Sequence, residues 1–466
     1  MKFKPKNITR LRRDFPVFNY ESYKWKFKGN DLEIVFSFSA EKFSFSPEIK
    51  IKNIPAAAKK IKKQNIDTFV FNLGLVELLS YWKAFCSPTI LIKPNGLNSD
   101  QIKWWQNLLF KGMGQFFYEN KINFKAKNFV KIVANEKSDL KSYKFSPSVK
   151  NILVPLGGGK DSAVVLDLLK AKKTNISCFL LNPTKASSAM AKESHSKQIV
   201  ICERKIDPLL LKLNREGYLN GHTPFVAYLS FMSVLAATLF NQKYIIIGNE
   251  KSSNEGNVDY LGLEINHQYS KTFDFENNFR EYVKKYLSPD IDYFSILRPL
   301  YELQIAKLFA RDPKYFPIFL SCNEAEKTCS GTKQKTGEWC GKCSKCLFVY
   351  MILYPFLKST DLKNIFKKDL YGEKDLIPLI LELTSEKKVK PLECVGTKKE
   401  SLIALYLGWK KNIVKGVEQP LILKYFEQKI MPKTKDWEKE AKRILENWDS
   451  KNNVPKNFDY KKSFLK

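Results

Sequence analysis

Residues 151–162 read Asn-Ile-Leu-Val-Pro-Leu-Gly-Gly-Gly-Lys-Asp-Ser: a short apolar run, three glycines, then a lysine, an aspartate and a serine in succession. A buried strand that turns on glycines into a helix N-terminus makes an anion site. Glycine lets backbone N–H groups approach phosphate oxygens, and the helix dipole favours their charge. Gly157, Gly158 and Gly159 are expected to wrap a phosphate chain, which Lys160 and Ser162 would neutralise and hydrogen-bond. Asp161 is placed to hold a Mg²⁺ bridging phosphate oxygens. The spacing differs both from the longer Gly-x4-Gly-Lys-Ser loop and from the dinucleotide pattern with its downstream acid.

Three further polar blocks fall where strand C-termini are expected: Gly221–Phe225, Gly248–Gly256 and Asn266–Lys271. Ligands of doubly wound sheets bind in the crevice at that edge, so Gly248 and Asn249 are expected beside the phosphates. The chain has three histidines, and two of them, His222 and His267, lie in these blocks as acid–base candidates. Five cysteines cluster between Cys322 and Cys346, with Cys340, Cys343 and Cys346 as an evenly spaced triplet. Four thiolates at such spacing can enclose a tetrahedral Zn²⁺, with Cys322 or Cys329 as the fourth ligand. Free thiols, a redox pair or an iron–sulfur cluster are compatible with the spacing too.

The elements that must hold these residues can be read from periodicity. Residues 20–52 alternate apolar and polar side chains around a Gly29-Asn30-Asp31 turn, the pattern of a β-meander. Residues 71–118 read mainly as helix, with a strand at Thr89–Ile92, and Asn135–Val149 reads as a polar linker. Strands at Asn151–Leu156, Ser177–Asn182 and Tyr244–Gly248 alternate with helices at Ser162–Lys172 and Pro224–Asn241. That alternation predicts an α/β fold with a doubly wound parallel sheet. From residue 347 onward the chain reads as helical. Three parts are expected: an α+β domain over 1–145, the phosphate-binding domain over 146–350, and a helical region over 351–466.

Composition sets the outer limits. With 466 residues, 44% of them hydrophobic, the chain can bury more than one core. The net charge of +31 suggests nucleic acid, but only nine of the 79 basic residues are arginine and the lysines are dispersed. A solvated lysine-rich exterior is therefore expected rather than a phosphate-reading surface. The N-terminus lacks the apolar run of a secretory signal, and the stretch Leu347–Leu357 is too short to span a bilayer. A cytoplasmic protein without a membrane partner is the expectation, and nine cysteines in such a chain do not imply a disulfide scaffold.

The Gly157–Ser162 loop resembles that of the N-type ATP pyrophosphatases (PP-loop proteins), which adenylate substrates and release AMP and diphosphate. Gly157 departs from the pattern, standing where that superfamily usually has serine, so one hydroxyl contact is lost. The blocks together resemble a narrower family, the ATP-dependent UDP-N-acetylmuramoyl-L-alanyl-L-glutamate epimerases of the MurL type. They include Tyr293–Leu300, Glu302–Ala306, Ser321-Cys322-Asn323, and Trp339-Cys340-Gly341 continuing to Cys346. Leu73–Leu78, Tyr81-Trp82-Lys83 and Glu393–Gly396 extend the resemblance over most of the chain; the tail after about residue 415 is unplaced.

The resemblance implies ATP and Mg²⁺ at the loop and a UDP-sugar dipeptide as substrate, with residues 1–145 receiving the UDP-sugar by elimination. It implies adenylation of a glutamate carboxylate, then inversion at the α-carbon by two proton carriers on opposite faces. His222 and His267 are the expected carriers, with Glu250, Lys271 and Cys322 in reserve. Arg298 would clamp a carboxylate or phosphate with its planar fork, a structural salt bridge being the alternative. Cys322, within its resembled block, is the favoured fourth zinc ligand. Two other readings stay open: an adenylating enzyme of the same scaffold acting on tRNA or in deazaguanine synthesis, and a zinc-containing nucleic-acid binder.

Overall fold

A computed structural model describes residues 6–170, 172, 174–326, 337–433 and 436–464. The strands are β1 (Val17–Lys28), β2 (Asp31–Ala40), β3 (Phe43–Phe45), β4 (Glu48–Ile51), β5 (Thr89–Ile92) and β6 (Lys131–Ala134). They continue as β7 (Ser148–Pro155), β8 (Asn175–Leu181), β9 (Gln198–Lys205), β10 (Gln242–Ile247), β11 (Val258–Tyr260), β12 (Leu263–Ile265) and β13 (Asp292–Ser295). Eleven of them form one sheet in the order β13-β10-β7-β8-β9-β4-β2-β1-β5-β6, with β3 on the β2 edge; β11 and β12 pair separately.

The block β13-β10-β7-β8-β9 is parallel, as the alternating pattern requires, and the chain is mixed α/β. Ile152, Leu153 and Val154 are all buried because helices cover both faces of β7, so its side chains show no polar alternation. The meander forms as read: in β2, Leu32, Ile34, Phe36 and Phe38 point inward while Val35 is exposed. It does not stand alone. β4 pairs antiparallel with β9 from Glu48↔Lys205 to Ile51↔Cys202, so meander and parallel block are one continuous sheet. The segment read as a linker is pinned to the body, Tyr143 N–H donating to Leu287 O (2.8 Å) and Phe145 N–H to Asp290 Oδ2 (2.9 Å).

Two hydrophobic cores follow the faces of this sheet rather than chain order. One joins Phe18, Phe36 and Phe69 to Leu153, Ala227 and Ile245; the other joins Ile152 and Val154 to Phe348, Leu405 and Phe426. The C-terminal helices thus pack onto the second face of the parallel block. None of the described helices is long and apolar enough to cross a membrane.

Candidate active site

The glycine turn follows β7 and enters the helix Lys160–Lys170. Gly158 takes φ +85°, and a Cβ there would stand 2.6 Å from the Ser187 nitrogen. A Cβ on Gly159 would meet Ser321 Oγ at 2.6 Å, and Leu320 N–H donates to Gly158 O at 2.9 Å. The turn is therefore pressed between the segments at 186–187 and 320–321; Gly158, at positive φ against backbone, requires glycine, while a Cβ on Gly159 would have to displace the Ser321 hydroxyl. Gly157 differs. Nothing lies within 4 Å of where its Cβ would be, and its N–H donates to Ser162 Oγ at 3.3 Å.

Beside the turn, carboxylate oxygens of Asp161, Glu250 and Glu302 lie within 4.8 Å of one another. Glu250 follows β10; Glu302 opens the helix Glu302–Phe309, fixed by its N–H on Ser252 Oγ (3.1 Å) and by Leu303 N–H on Glu400 Oε1 (3.1 Å). Among the described residues both Glu250 oxygens are buried without a hydrogen-bond partner, the residue being 1% exposed. A carboxylate left so costs several kcal/mol unless a cation completes it (roughly 1–3 or more). Three hard oxygen donors with unsatisfied lone pairs fit Mg²⁺. Gly248 brings β10 close, its absent Cβ pointing at Asp161 Cβ 3.5 Å away, while Asn249 is buried and accepts Ser295 Oγ–H through its carbonyl.

The two lysines here stand among carboxylates. Lys160, 1% exposed, is held between Asp161 and Glu302. Burial would lower its pKa, but those two carboxylates outweigh it and hold the ammonium well above its usual range. Burial pulls Asp161 upward, yet Lys160 and Lys345 hold it below the usual carboxylate value; burial raises Glu302, with Asp161 and Glu250 adding to it. Lys271 is likewise raised: Cys394, Glu250 and Asp161 outweigh its burial. Arg298 takes the structural alternative rather than the substrate clamp. It is 1% exposed, and its donors go to Glu276 Oε2 (3.1 and 3.0 Å), Glu250 O (2.7 Å), Ser253 Oγ (3.2 Å) and Lys271 O (2.6 Å). It fixes the loops that carry Glu250 and Lys271, and leaves no fork for a ligand.

His222 and His267 meet ring to ring, with centroids 4.6 Å apart and planes at 48°. An α-carbon flanked by two carriers needs each nitrogen within about 3 Å on opposite sides, so rings in contact cannot enclose one. The expected two-faced arrangement of this pair is not what the chain builds. Gln115 Nε2 donates to Glu119 Oε1 at 2.8 Å, and Gln115 Oε1 meets His267 Nδ1. An ionised carboxylate only accepts, so the amide must turn its NH2 to Glu119 and its oxygen to His267. His267 Nδ1 is thereby the N–H, and Nε2 carries the lone pair. Burial, then Lys271, pushes the His267 pKa down to about 4; burial, then His267 and Lys83, pushes His222 well below its usual value. Both rings are neutral near pH 7, and His222 Nδ1 is buried without a partner.

The sulfurs of Cys322, Cys340, Cys343 and Cys346 lie within 4.8 Å of one another, with Sγ separations of 3.5 Å (343–346) and 3.6 Å (340–346). Tetrahedral zinc, with Zn–S of about 2.3 Å, separates its sulfurs by about 3.8 Å, so the set is compatible with that ion. Lys342 N–H and Cys346 N–H donate to Cys340 Sγ and Cys343 Sγ, both at 3.4 Å, orienting the donors as outer-shell partners do. Cys322 completes the set, which removes it as a reserve proton carrier; Cys329 lies outside the described residues.

Sequence reasoning missed Glu302, Gln115, Glu119, Lys83 and Lys345 as parts of this site. Lys345 donates its ammonium to Cys394 O while its backbone N–H goes to Glu393 Oε2 at 2.9 Å. Glu302, Lys83 and Lys345 all lie in blocks that carry the family resemblance, so that signal was on hand; Gln115 and Glu119 had none. A concavity of about 1130 Å³ lies elsewhere, against Tyr23, Trp25, Lys50 and Glu203 on the open face of the antiparallel strands.

Comparison with known proteins finds similarity along most of the chain. A family model described as the MurL N-terminal domain matches residues 9–296, and one described as the MurL C-terminal domain matches residues 318–441. Similar proteins named UDP-N-acetyl-alpha-D-muramoyl-L-alanyl-L-glutamate epimerase occur in three bacteria. In Xanthomonas oryzae pv. oryzae the identity is 32%, over 73% of this chain and 76% of the relative. In a Micromonospora species it is 33%, over 72% and 73%, and in Salinispora tropica 30%, over 78% and 79%.

Proposed function

From the premise that the chain belongs to the MurL family, we propose that it inverts the terminal glutamate of UDP-N-acetylmuramoyl-L-alanyl-L-glutamate, a step toward peptidoglycan precursors, with ATP cleaved to AMP and diphosphate. The observation that carries the ATP-dependent part is the partnerless Glu250 carboxylate beside Asp161 and Glu302, next to the glycine turn. This supports a nucleotide on a PP-loop scaffold, with the three carboxylates as the Mg²⁺ ligands; the ion would supply charge neutralisation at the phosphates.

The chemistry explains why such a loop belongs in an epimerase. An α-proton beside an ionised carboxylate is barely acidic, because its removal puts a second negative charge on the same group. Joining the carboxylate oxygen to the α-phosphorus, with diphosphate leaving, removes the first charge and lets the carbonyl delocalise the carbanion. His267 Nε2, held as the basic nitrogen by Gln115 and Glu119, takes the proton. Its contact with His222 gives that ring no second face, so Lys271, which feels both His267 and Asp161, is the candidate carrier opposite. Water attack on the carbonyl carbon then frees the carboxylate and AMP. Residues 1–145 are the proposed UDP-sugar side, a reading supported by Lys83, Gln115 and Glu119 reaching the histidines from that half.

Incubation with ATP, Mg²⁺ and the UDP-dipeptide is expected to release diphosphate and D-glutamyl product together. Diphosphate formed only when tRNA is added would instead identify a tRNA-modifying enzyme.

A further inference from the structure

Lys83 follows the helix Lys63–Trp82 and is almost wholly buried, 9% exposed. An ammonium has three N–H donors. Among the described residues Lys83 finds one acceptor, the Gly221 carbonyl at 2.8 Å, and no carboxylate forms an ion pair with it. The neighbouring charges do not fill the gap. Arg204 is occupied by Glu77 through two bonds of 2.9 Å and by Ser80, while Glu119 is engaged by Gln115 and acts on Lys83 only at longer range. Burial, then Arg204, lowers the Lys83 pKa to about 8, the mark of a cation lacking its counter-ion. The residue after Gly221 is His222, whose buried Nδ1 is also without a partner. Two incompletely bonded polar groups therefore lie close together beside the histidine pair.

We propose that Lys83 binds the side-chain carboxylate of the substrate's terminal glutamate, the one that is not adenylated. This rests on the epimerase reading above and supplies its specificity element. Taken neighbour by neighbour, the groups follow the order of atoms in the substrate. Asp161 beside the glycine turn acts on Lys271, Lys271 acts on His267, His267 meets His222, and Lys83 acts on His222. An α-carboxylate at the turn and an α-carbon at His267 send the side chain toward Lys83. The anion completes the ammonium's hydrogen bonding and raises its pKa back toward the ordinary lysine value.

The assay compares the UDP-dipeptide ending in L-glutamate with the one ending in L-glutamine, on the full chain. Wild-type protein is expected to prefer the acid by 10²–10³ in kcat/KM. In Lys83→Met the preference is expected to fall below tenfold, mainly through loss on the glutamate substrate, and Lys83→Arg is expected to restore part of it. Calorimetric binding without ATP reads the same contact apart from turnover: wild type binds the acid at least tenfold tighter, Lys83→Met binds both alike. If wild type treats acid and amide equally, or if Lys83→Met weakens both by one factor, the assignment is overturned; the second result would place Lys83 on the diphosphate or in the fold. Acid-over-amide binding with no epimerisation under any condition would keep the carboxylate contact and fault the epimerase reading instead.

Discussion

Among its described residues the chain builds two clusters with metal-ligating geometry, and they are opposites. Cys322, Cys340, Cys343 and Cys346 form a closed set of four soft donors, three of them within seven residues, with backbone N–H groups on two of the sulfurs. Asp161, Glu250 and Glu302 form an open set of three hard donors drawn from three chain segments, with Lys160 paired to two of them. Four thiolates leave no position for a substrate; three carboxylates, one without any protein partner, leave several. The first arrangement suits an ion that holds the fold, the second an ion that comes and goes with a nucleotide. They touch the same turn from different sides: Leu320 and Ser321, just before Cys322, clasp Gly158 and Gly159, and Asp161 follows them.

That contrast breaks most sharply at Glu250. Glu250→Gln keeps the shape and removes the charge, so diphosphate release should drop by about 10³-fold while the melting temperature stays within a few degrees. A large melting shift with normal turnover would reverse the roles of the two clusters. Cys343→Ser should do the contrary: zinc content falls from one per chain and the melting temperature drops by about 10 °C or more, with activity lost in proportion to unfolding. Elemental analysis and thermal scans read both; metal-free, fully stable and active protein would end the zinc assignment.

A smaller effect tests the histidines. Because the His267 pKa lies near 4, the ring stays a neutral base down through the range where an ordinary histidine would take up a proton. The kcat/KM profile should show no acid limb between pH 7 and 6 and fall only as pH approaches about 4, while Lys83, with its pKa near 8, sets the alkaline side. An acid limb centred near 6.5 would show the ring to be in water rather than buried. The smallest effect is at Gly157, where an added Cβ meets nothing. Gly157→Ser should fold normally and lower the KM for ATP by a few-fold through a restored hydroxyl contact, whereas Gly158→Ala, at φ +85°, should lose activity.

What the sequence made legible was local. Strand, turn and helix over 151–170 are adjacent in the chain, so their joint meaning survives without a structure; the cysteine triplet is legible for the same reason. The antiparallel seam between β4 and β9 joins residues about 150 apart, and nothing in either strand announces its neighbour. Glu302 stands some 140 positions from Lys160, and its role appears only once the helix it opens is docked beside the turn. Arg298 shows the reverse problem: an arginine among polar residues reads alike whether it faces ligand or Glu276, and only burial separates the two. The histidines were found, but their ring contact belongs to packing rather than to spacing.

Oxygen transfer tests the adenylation step most directly. With the substrate's α-carboxylate labelled with ¹⁸O, AMP formed in one turnover is expected to carry one labelled oxygen, since the carboxylate–phosphorus bond survives when water attacks the carbonyl carbon. Product glutamate inverted at its α-carbon alongside unlabelled AMP would contradict carboxylate activation at the glycine turn.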